Sequence, residues 1–161
     1  MPSLDDTLTH LAELAVALAG FVGVVSAFAG RNRDYTTLER GRTVAVGVSA
    51  GSVLAGSLAY TTISTGGFSS SVAIRSSAAL SFLLIFVVLA PVQFGAAKAL
   101  VSRQAKQPWV FAVSLVVWSV NLGLLAFSIV QPENALTLVA AFSIQLLVGF
   151  WMFMRLLLRA D

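Results

Sequence analysis

Two side-chain amides lie in the middle of long apolar stretches in the last third of the chain. Asn121 falls within 109–130 and Gln145 within 135–158. Each amide is about 11 to 12 residues from the short joint between these stretches, so at ~1.5 Å per helical residue both would lie at the same depth. Gln93, in the preceding apolar stretch, can join them somewhat nearer the other end of the helices. The spacing predicts a polar cluster inside an apolar protein.

Helical spacing places further residues on the faces that carry the two amides. These are Ser114, Trp118, Leu125 and Ser128 with Asn121, and Thr137, Ala141 and Gly149 with Gln145. An amide both donates and accepts hydrogen bonds, so the two can pair across a helix interface and fix the bundle, at ~0.6 kcal/mol. They can instead line a path for water or a solute, or contact a second copy of the chain. We favour the pair.

A second set of candidate residues lies near the start of the chain. Asp6, His10 and Glu13 are spaced i, i+4 and i+7, on one face of a helix. Carboxylate and imidazole groups at this spacing can bind a transition metal or relay protons. Glu13 lies just inside the apolar run, so its carboxylate can reach the outer interface. The simpler interpretation is a hydrated outer turn in which Asp6 pairs with His10.

Motifs for enzymatic chemistry are absent from the sequence. The chain has one His and no Cys. Gly66-Gly67 is not followed by the Lys-Ser/Thr of a phosphate-binding loop. Outside the first helix the carboxylates lie in loops or near chain and helix ends, with no pairing that suggests acid–base catalysis. We therefore predict a protein without enzymatic activity and without a cofactor.

Composition identifies a membrane protein. Of the 161 residues, 58% are hydrophobic and 11% are charged, whereas a soluble domain carries about 25% charge. Five apolar runs are each long enough to cross a hydrocarbon core of ~30 Å. The predicted fold is a single all-α, polytopic transmembrane bundle. Its five spans are expected at about 7–29, 43–63, 75–100, 109–130 and 135–158.

Local signals predict where helices begin and where one is interrupted. Ser3 and Asp6 have the spacing of a capping box, and so do Thr36 and Glu39. The first helix can therefore begin near Ser3, and the second can begin before the membrane. Pro91 removes one backbone hydrogen bond from the third helix, which predicts a kink there.

Small residues recur at four-residue steps in the first two spans. They include Ala19 and Gly23 in the first span, and Gly47, Gly51, Ala55 and Ala59 in the second. Such stripes allow helix backbones to approach closely. We predict that the second helix is the most enclosed helix of the bundle, or that its small-residue face is an oligomer interface.

Basic residues indicate the orientation of the bundle. With five spans, nine of the ten Lys and Arg residues fall on one side, and only Arg75 falls on the other. Because basic residues are retained in the cytoplasm, we predict an outside N-terminus and an inside C-terminus. Six arginines lie near the predicted inner surface: Arg31, Arg33, Arg40, Arg42, Arg155 and Arg159. They can set topology or contact anionic lipid head groups, and nucleic-acid binding is not predicted.

Two short segments carry a resemblance to a protein group. They are Ala19-Gly20-Phe21-Val22-Gly23-Val24-Val25 and Phe153-Met154-Arg155-Leu156-Leu157-Leu158. They resemble the terminal signatures of a group of small, uncharacterised bacterial integral membrane proteins, whose layout would cover most of the chain. The resemblance implies a multi-pass protein of the bacterial inner membrane and implies no activity.

Two functional hypotheses follow from these features. The first is a non-enzymatic membrane module that forms homo-oligomers in the lipid bilayer and acts as a structural or interaction subunit. The second is a small oligomeric channel or transporter. In that case the second helix, or the face that carries Asn121 and Gln145, would line the path.

Overall fold

The computed structural model of the protein describes residues 3–29, 37–101 and 108–157. Within these ranges the chain forms five α-helices and no strand. The helices are α1 (Leu4–Ala29), α2 (Thr37–Thr65), α3 (Ser70–Val101), α4 (Pro108–Val130) and α5 (Ala135–Leu157). All five are long and apolar enough to cross a membrane. The all-α, five-span bundle predicted from the sequence is therefore confirmed.

The first two helices begin ahead of their predicted membrane spans. Ser3 N donates to Asp6 Oδ2, and Asp6 N donates to Ser3 Oγ, both at 3.1 Å. This reciprocal pair is the predicted capping box, and it provides partners for two N–H groups that the first turn of a helix leaves unpaired. Helix α2 begins at Thr37, whereas Thr36 of the second predicted capping box lies outside the described residues.

Helix α2 lies at the centre of the bundle. It contacts α1, α3 and α5, and α5 also contacts α1 and α4. Within the described residues α1 makes no contact with α3 or α4, because α2 and α5 lie between them. In the membrane window of α2, 50% of the residues are buried, against 22–39% in the other four helices. The prediction that the second helix is the most enclosed is confirmed.

Among the described residues, Gly47 and Gly51 of the small-residue stripe do not contact the neighbouring helices, which corrects the packing role predicted for these two glycines within one chain. Gly47 and Gly51 are exposed, and a Cβ atom added to either would meet no atom within 4 Å. Ala55 and Ala59 are half-buried. Ser52 and Gly56, which are buried, each follow a residue of the stripe by one position. One position corresponds to a turn of ~100° around the helix axis, so these residues lie on a different face of α2.

Two other glycines make the close helix contacts. A Cβ atom at Gly56 would lie 2.5 Å from Phe142 Cζ and would also collide with Ser81 Oγ. A Cβ atom at Gly149 would lie 3.0 Å from Leu18 Cδ2. Gly56 therefore allows α2 to approach α3 and α5, and Gly149 allows α5 to approach α1.

The predicted packing residues of α1 are also on its outer surface. Ala19 and Gly23 are exposed, and a Cβ atom at Gly23 would meet nothing within 4 Å. The buried apolar residues of this helix are larger on average: Leu8, Ala15, Leu18 and Val22. Helix α1 thus packs on the bundle mainly through branched side chains, which bury more apolar surface than glycine can.

Helices α4 and α5 form an antiparallel hairpin, as the four-residue joint between the two apolar stretches requires. The joint is 131–134, and Gln131 N donates to Phe127 O at 2.7 Å to close the end of α4. Just below the joint, Ser128 Oγ and Thr137 Oγ1 lie 2.8 Å apart and form a hydrogen bond between the two helices. This bond fixes the register of the hairpin at its closed end.

Pro91 lies inside α3, which remains helical from Ser70 to Val101. Pro91 falls within the third predicted span, 75–100. A proline at this position leaves the carbonyl of Val87 without its usual helical donor. The kink itself stays a prediction.

Labelling tests the orientation of the bundle, which depends on the distribution of basic residues. Cysteines at Ser70 and Glu133 should react with a membrane-impermeant reagent added on the periplasmic side. Cysteines at Asn32 and Gln104, which lie outside the described residues, should react only after the membrane is opened. The chain has no cysteine of its own, so each label reports a single position. Reaction of Glu133 and Gln104 positions from the same side would contradict five crossings.

Candidate functional site

The two central amides meet in the middle of the bundle. Gln145 Nε2 of α5 donates to Asn121 Oδ1 of α4 at 3.2 Å. Asn121 Nδ2 donates in turn to the backbone oxygen of Ala141 at 2.7 Å. Both side chains are at most 1% exposed. The sequence therefore identified the two amides, their matched depth and their contact.

The chain of hydrogen bonds continues into α2 and α3. Ser52 Oγ donates to Gln145 Oε1 at 2.6 Å and also lies 3.1 Å from Ser49 O, so its single proton has a second acceptor within its own helix. Ser81 Oγ donates to the backbone oxygen of Ser52 at 2.9 Å. We call Ser52, Ser81, Asn121 and Gln145 the central network. It joins four of the five helices.

Sequence reasoning missed the two serines of the central network. Ser52 lies near the middle of the membrane window 41–65, and Ser81 lies within the window 70–88. Depth-matching of the kind applied to the amides would therefore have found both. Serine gives a weaker signal than an amide, because its hydroxyl can bond a carbonyl of its own helix and need not have a partner elsewhere.

A further serine contact reinforces the approach of α2 to α3. Ser77 Oγ of α3 donates to the backbone oxygen of Gly56 at 2.7 Å. This bond and that from Ser81 to Ser52 lie on successive turns of both helices. They are possible because Gly56 has no side chain in the interface. The two helices are therefore held together by hydrogen bonds to backbone oxygens as well as by packing.

The central network can hold neighbouring helices together through hydrogen bonds. All its groups are neutral amides or hydroxyls, so none carries a charge near pH 7. Lipid offers no hydrogen-bond partner to a group that leaves the network. Hydrogen bonds of this kind contribute on average ~0.6 kcal/mol each in a membrane protein. Their directionality also fixes the depth at which each helix meets its neighbours.

Two buried polar atoms have no hydrogen-bond partner in the described part of the chain. They are the indole Nε1 of Trp118 and the hydroxyl of Ser57. Trp118 is 4% exposed and lies one helical turn from Asn121, on the face predicted to carry both residues. An unpaired N–H group in an apolar interior carries a desolvation cost.

The acidic and histidine residues of α1 do not come together as a metal site. Asp6 forms the capping box with Ser3, and His10 Nδ1 lies 3.2 Å from Glu13 Oε2. The His10 and Glu13 side chains are 74% and 69% exposed. In the described residues no group of three metal-binding side chains is present. The hydrated surface turn is the better description, although His10 pairs with Glu13 and not with Asp6.

Several predicted site residues lie where the structure gives no side-chain description. They are Gln93, Arg31, Arg33, Arg40 and Arg159. Of the remaining arginines, Arg42 Nη1 donates to the backbone oxygen of Arg155 at 3.5 Å, so these two residues lie together at the end of the bundle where α5 finishes. Contact of the arginines with lipid head groups, and participation of Gln93 in the polar cluster, stay predictions.

A comparison with protein families, with characterised proteins and with solved structures finds no match to this chain.

Proposed function

We propose that this multi-pass membrane protein is a non-enzymatic subunit of the bacterial inner membrane, which self-associates and acts as a structural or interaction module. The observation that carries the proposal is the exposed face of α2 that contains Gly47 and Gly51. Helix α2 is otherwise the most enclosed of the five. This face is therefore where the central helix reaches the surface of the bundle.

Exposed glycines on a membrane helix favour contact with another helix. A glycine in the middle of a helix costs ~0.5–1 kcal/mol relative to alanine. Acyl chains adapt to side chains of any size, whereas a second helix can bring its backbone close only where side chains are small. Among the described residues of one chain, Gly47 and Gly51 have no close neighbour. A second copy of the chain would give them one.

The hydrogen bonds that the central network forms within one chain also support this proposal. Asn121 and Gln145 have their hydrogen-bond partners within one chain, so they do not need a partner molecule. Association would then rest on packing at the small-residue face and would leave the interior of each bundle intact.

A small oligomeric channel or transporter is the second candidate function. The unpaired indole N–H of Trp118, one turn from Asn121, is the observation that favours it. Water that reached this level of the bundle could accept a hydrogen bond from Trp118. A polar path near Asn121 and Gln145 would provide such water.

Replacement of Gly51 by leucine tests self-association. Because Gly51 faces open space, Gly51→Leu should leave the fold of a single chain intact. In an oligomer that packs on this face, the added side chain should cost ~1–3 kcal/mol, which weakens association roughly 5- to 150-fold. The subunit number is measured by counting single-molecule photobleaching steps in liposomes over a range of protein-to-lipid ratios.

Gly123→Leu on α4 is the matched control for this experiment. Gly123 is also an exposed glycine, with nothing within 4 Å of an added Cβ atom. We expect the control to associate like the unchanged protein. The proposal is wrong if the unchanged protein is monomeric at every ratio, or if Gly51→Leu and Gly123→Leu shift the subunit number equally.

A further inference from the structure

A polar pocket lies at the end of the bundle that carries the α4–α5 joint. It has a volume of about 670 Å³, which is in the range of small-molecule sites. One wall is the first part of α3, and the other is the joint with the last residue of α4. Five of the seven lining residues are polar: Ser71, Arg75, Gln131, Glu133 and Asn134. The lining therefore suits a charged or polar ligand.

Backbone hydrogen bonds hold both walls of the pocket. At the start of α3, Val72 N donates to Ser69 O at 3.0 Å. In the joint, Asn134 N donates to Gln131 O at 3.3 Å. Between these two residues lies Pro132, which is buried and whose ring fixes its own φ angle. The chain itself therefore determines the shape of the pocket.

The pocket brings together two opposite charges that do not neutralise each other. Arg75 and Glu133 both line it, and both are exposed. In the described part of the chain, the one ion pair joins His10 to Glu13. Within the same residues, the five polar side chains of the pocket form no hydrogen bond. The guanidinium and the carboxylate are therefore available to a ligand.

The depth of the pocket corresponds to the lipid head groups. The apolar window of α3 begins at Ser70, so Arg75 lies five residue steps, or ~7.5 Å, inside it. The windows of α4 and α5 end at Val130 and begin at Ala135, so Glu133 lies just outside both. A long arginine side chain can extend from this depth toward water. Ionisable residues within membrane segments are candidates for function.

We propose that this pocket binds a phosphoethanolamine group, a zwitterion with one phosphate and one primary ammonium. Arg75 can contact the phosphate through two N–H groups at once, and Glu133 can accept hydrogen bonds from the ammonium. The neutral side chains of Ser71, Gln131 and Asn134 can bond the remaining oxygen atoms. A plain anion would be repelled by Glu133, and a plain cation by Arg75. The group is supplied either by the head group of phosphatidylethanolamine or by a water-soluble molecule.

Native mass spectrometry of the protein tests this proposal. The protein is released from detergent after incubation with equal amounts of the dioleoyl forms of phosphatidylethanolamine, phosphatidylcholine and phosphatidylglycerol. Phosphatidylcholine has no N–H group to donate, and phosphatidylglycerol has no positive charge. Among the singly bound species, phosphatidylethanolamine should exceed each of the others by about fivefold, the factor expected for one charge contact near the membrane surface.

Two substitutions separate the contributions of the two charges. Glu133→Gln should abolish the preference for phosphatidylethanolamine, because the ammonium loses its partner. Arg75→Gln should lower binding of all three lipids by about fivefold, because all three carry the phosphate. Asp5→Asn removes an exposed carboxylate in the first turn of α1 and should leave the preference unchanged.

A soluble probe distinguishes the two sources of the group. Glycerophosphoethanolamine has the same head group and no acyl chain. If it displaces bound phosphatidylethanolamine, or binds by itself and loses binding in Glu133→Gln, the pocket recognises the free zwitterion. If it does neither while the lipid preference holds, the group comes from the lipid.

Three results would overturn the proposal. The first is equal retention of the three lipids together with no binding of glycerophosphoethanolamine. The second is a preference for phosphatidylglycerol, and the third is a preference for phosphatidylethanolamine that survives Glu133→Gln. The pocket is independent of self-association, so Gly51→Leu on α2 should change the subunit number without changing the lipid preference.

Discussion

Replacement of Gly56 by alanine should destabilise the bundle by ~1–3 kcal/mol, the usual cost of overpacking a close contact. The new Cβ atom would lie 2.5 Å from Phe142 Cζ and would collide with Ser81 Oγ, which donates to the backbone of α2. To make room, α2 must move away from α3 and α5. That movement would also stretch the hydrogen bond from Ser77 to the Gly56 oxygen.

Gly51→Ala is the matched control for the Gly56 change. It is the same substitution on the same helix, five residues away, at a position where an added Cβ atom meets nothing. Alanine should stabilise the helix there by ~0.5–1 kcal/mol. Free energies of unfolding in mixed detergent micelles would show opposite signs for the two variants. Equal changes at both positions would mean that the close contact at Gly56 is absent.

A double-mutant cycle on Asn121 and Gln145 should show strong coupling, which is the second large effect expected. Asn121→Leu leaves Gln145 Nε2 without its acceptor, and Gln145→Leu leaves Asn121 Oδ1 without its donor. Each single change should cost ~1–3 kcal/mol, because it leaves a buried polar group unpaired. The double change removes both partners, so its cost should be smaller than the sum of the singles, by ~0.6–1.7 kcal/mol.

The other partners of the two amides make this cycle easy to interpret. After Gln145→Leu, the Ser52 hydroxyl can still donate to the Ser49 oxygen in its own helix. The Gln145 change therefore should not leave Ser52 unpaired. A control cycle pairs Gln145→Leu with Ser128→Ala, whose hydroxyl bonds Thr137 and not the amides. Since these sites share no partner, their effects should add.

The same variants discriminate between the two candidate functions when solute or ion flux is measured in liposomes. In a structural module, the amide variants are coupled in stability, and the unchanged protein shows no flux. In a channel or transporter, water already solvates the amides, so single changes should be mild and additive in stability, while flux falls in each variant. That second outcome would reject the structural module and support the polar path.

Features that depend on one segment at a time were predictable. The five spans follow from runs of ~20 apolar residues, because the membrane selects each helix by its own length and hydrophobicity. The capping box of Ser3 and Asp6 depends on residues within one turn. The depth of Asn121 and Gln145 follows from counting along two helices joined by a four-residue joint, so their contact could be predicted as well.

The face that each helix presents to its neighbours was not predictable in the same way. In water, the apolar side of a helix identifies the side that is buried. In a membrane, lipid is as apolar as the protein interior, so both sides of a helix look alike in the sequence. The spacing of Gly47 and Gly51 is therefore that expected of a packing face, although the close contact with α3 and α5 is made at Gly56. On α1, Asp6 forms the capping box with Ser3, and His10 pairs with Glu13 and not with Asp6.

The sequence by itself determined the number of helices, the antiparallel hairpin and the level at which two amides meet. Only the tertiary structure decided that α2 packs through Ser52 and Gly56 and that Ser81 extends the central network to α3. The physical reason is that insertion into lipid depends on the hydrophobicity of each segment. Helix packing depends on the fit between surfaces that are all apolar, and that fit involves residues from several helices at once.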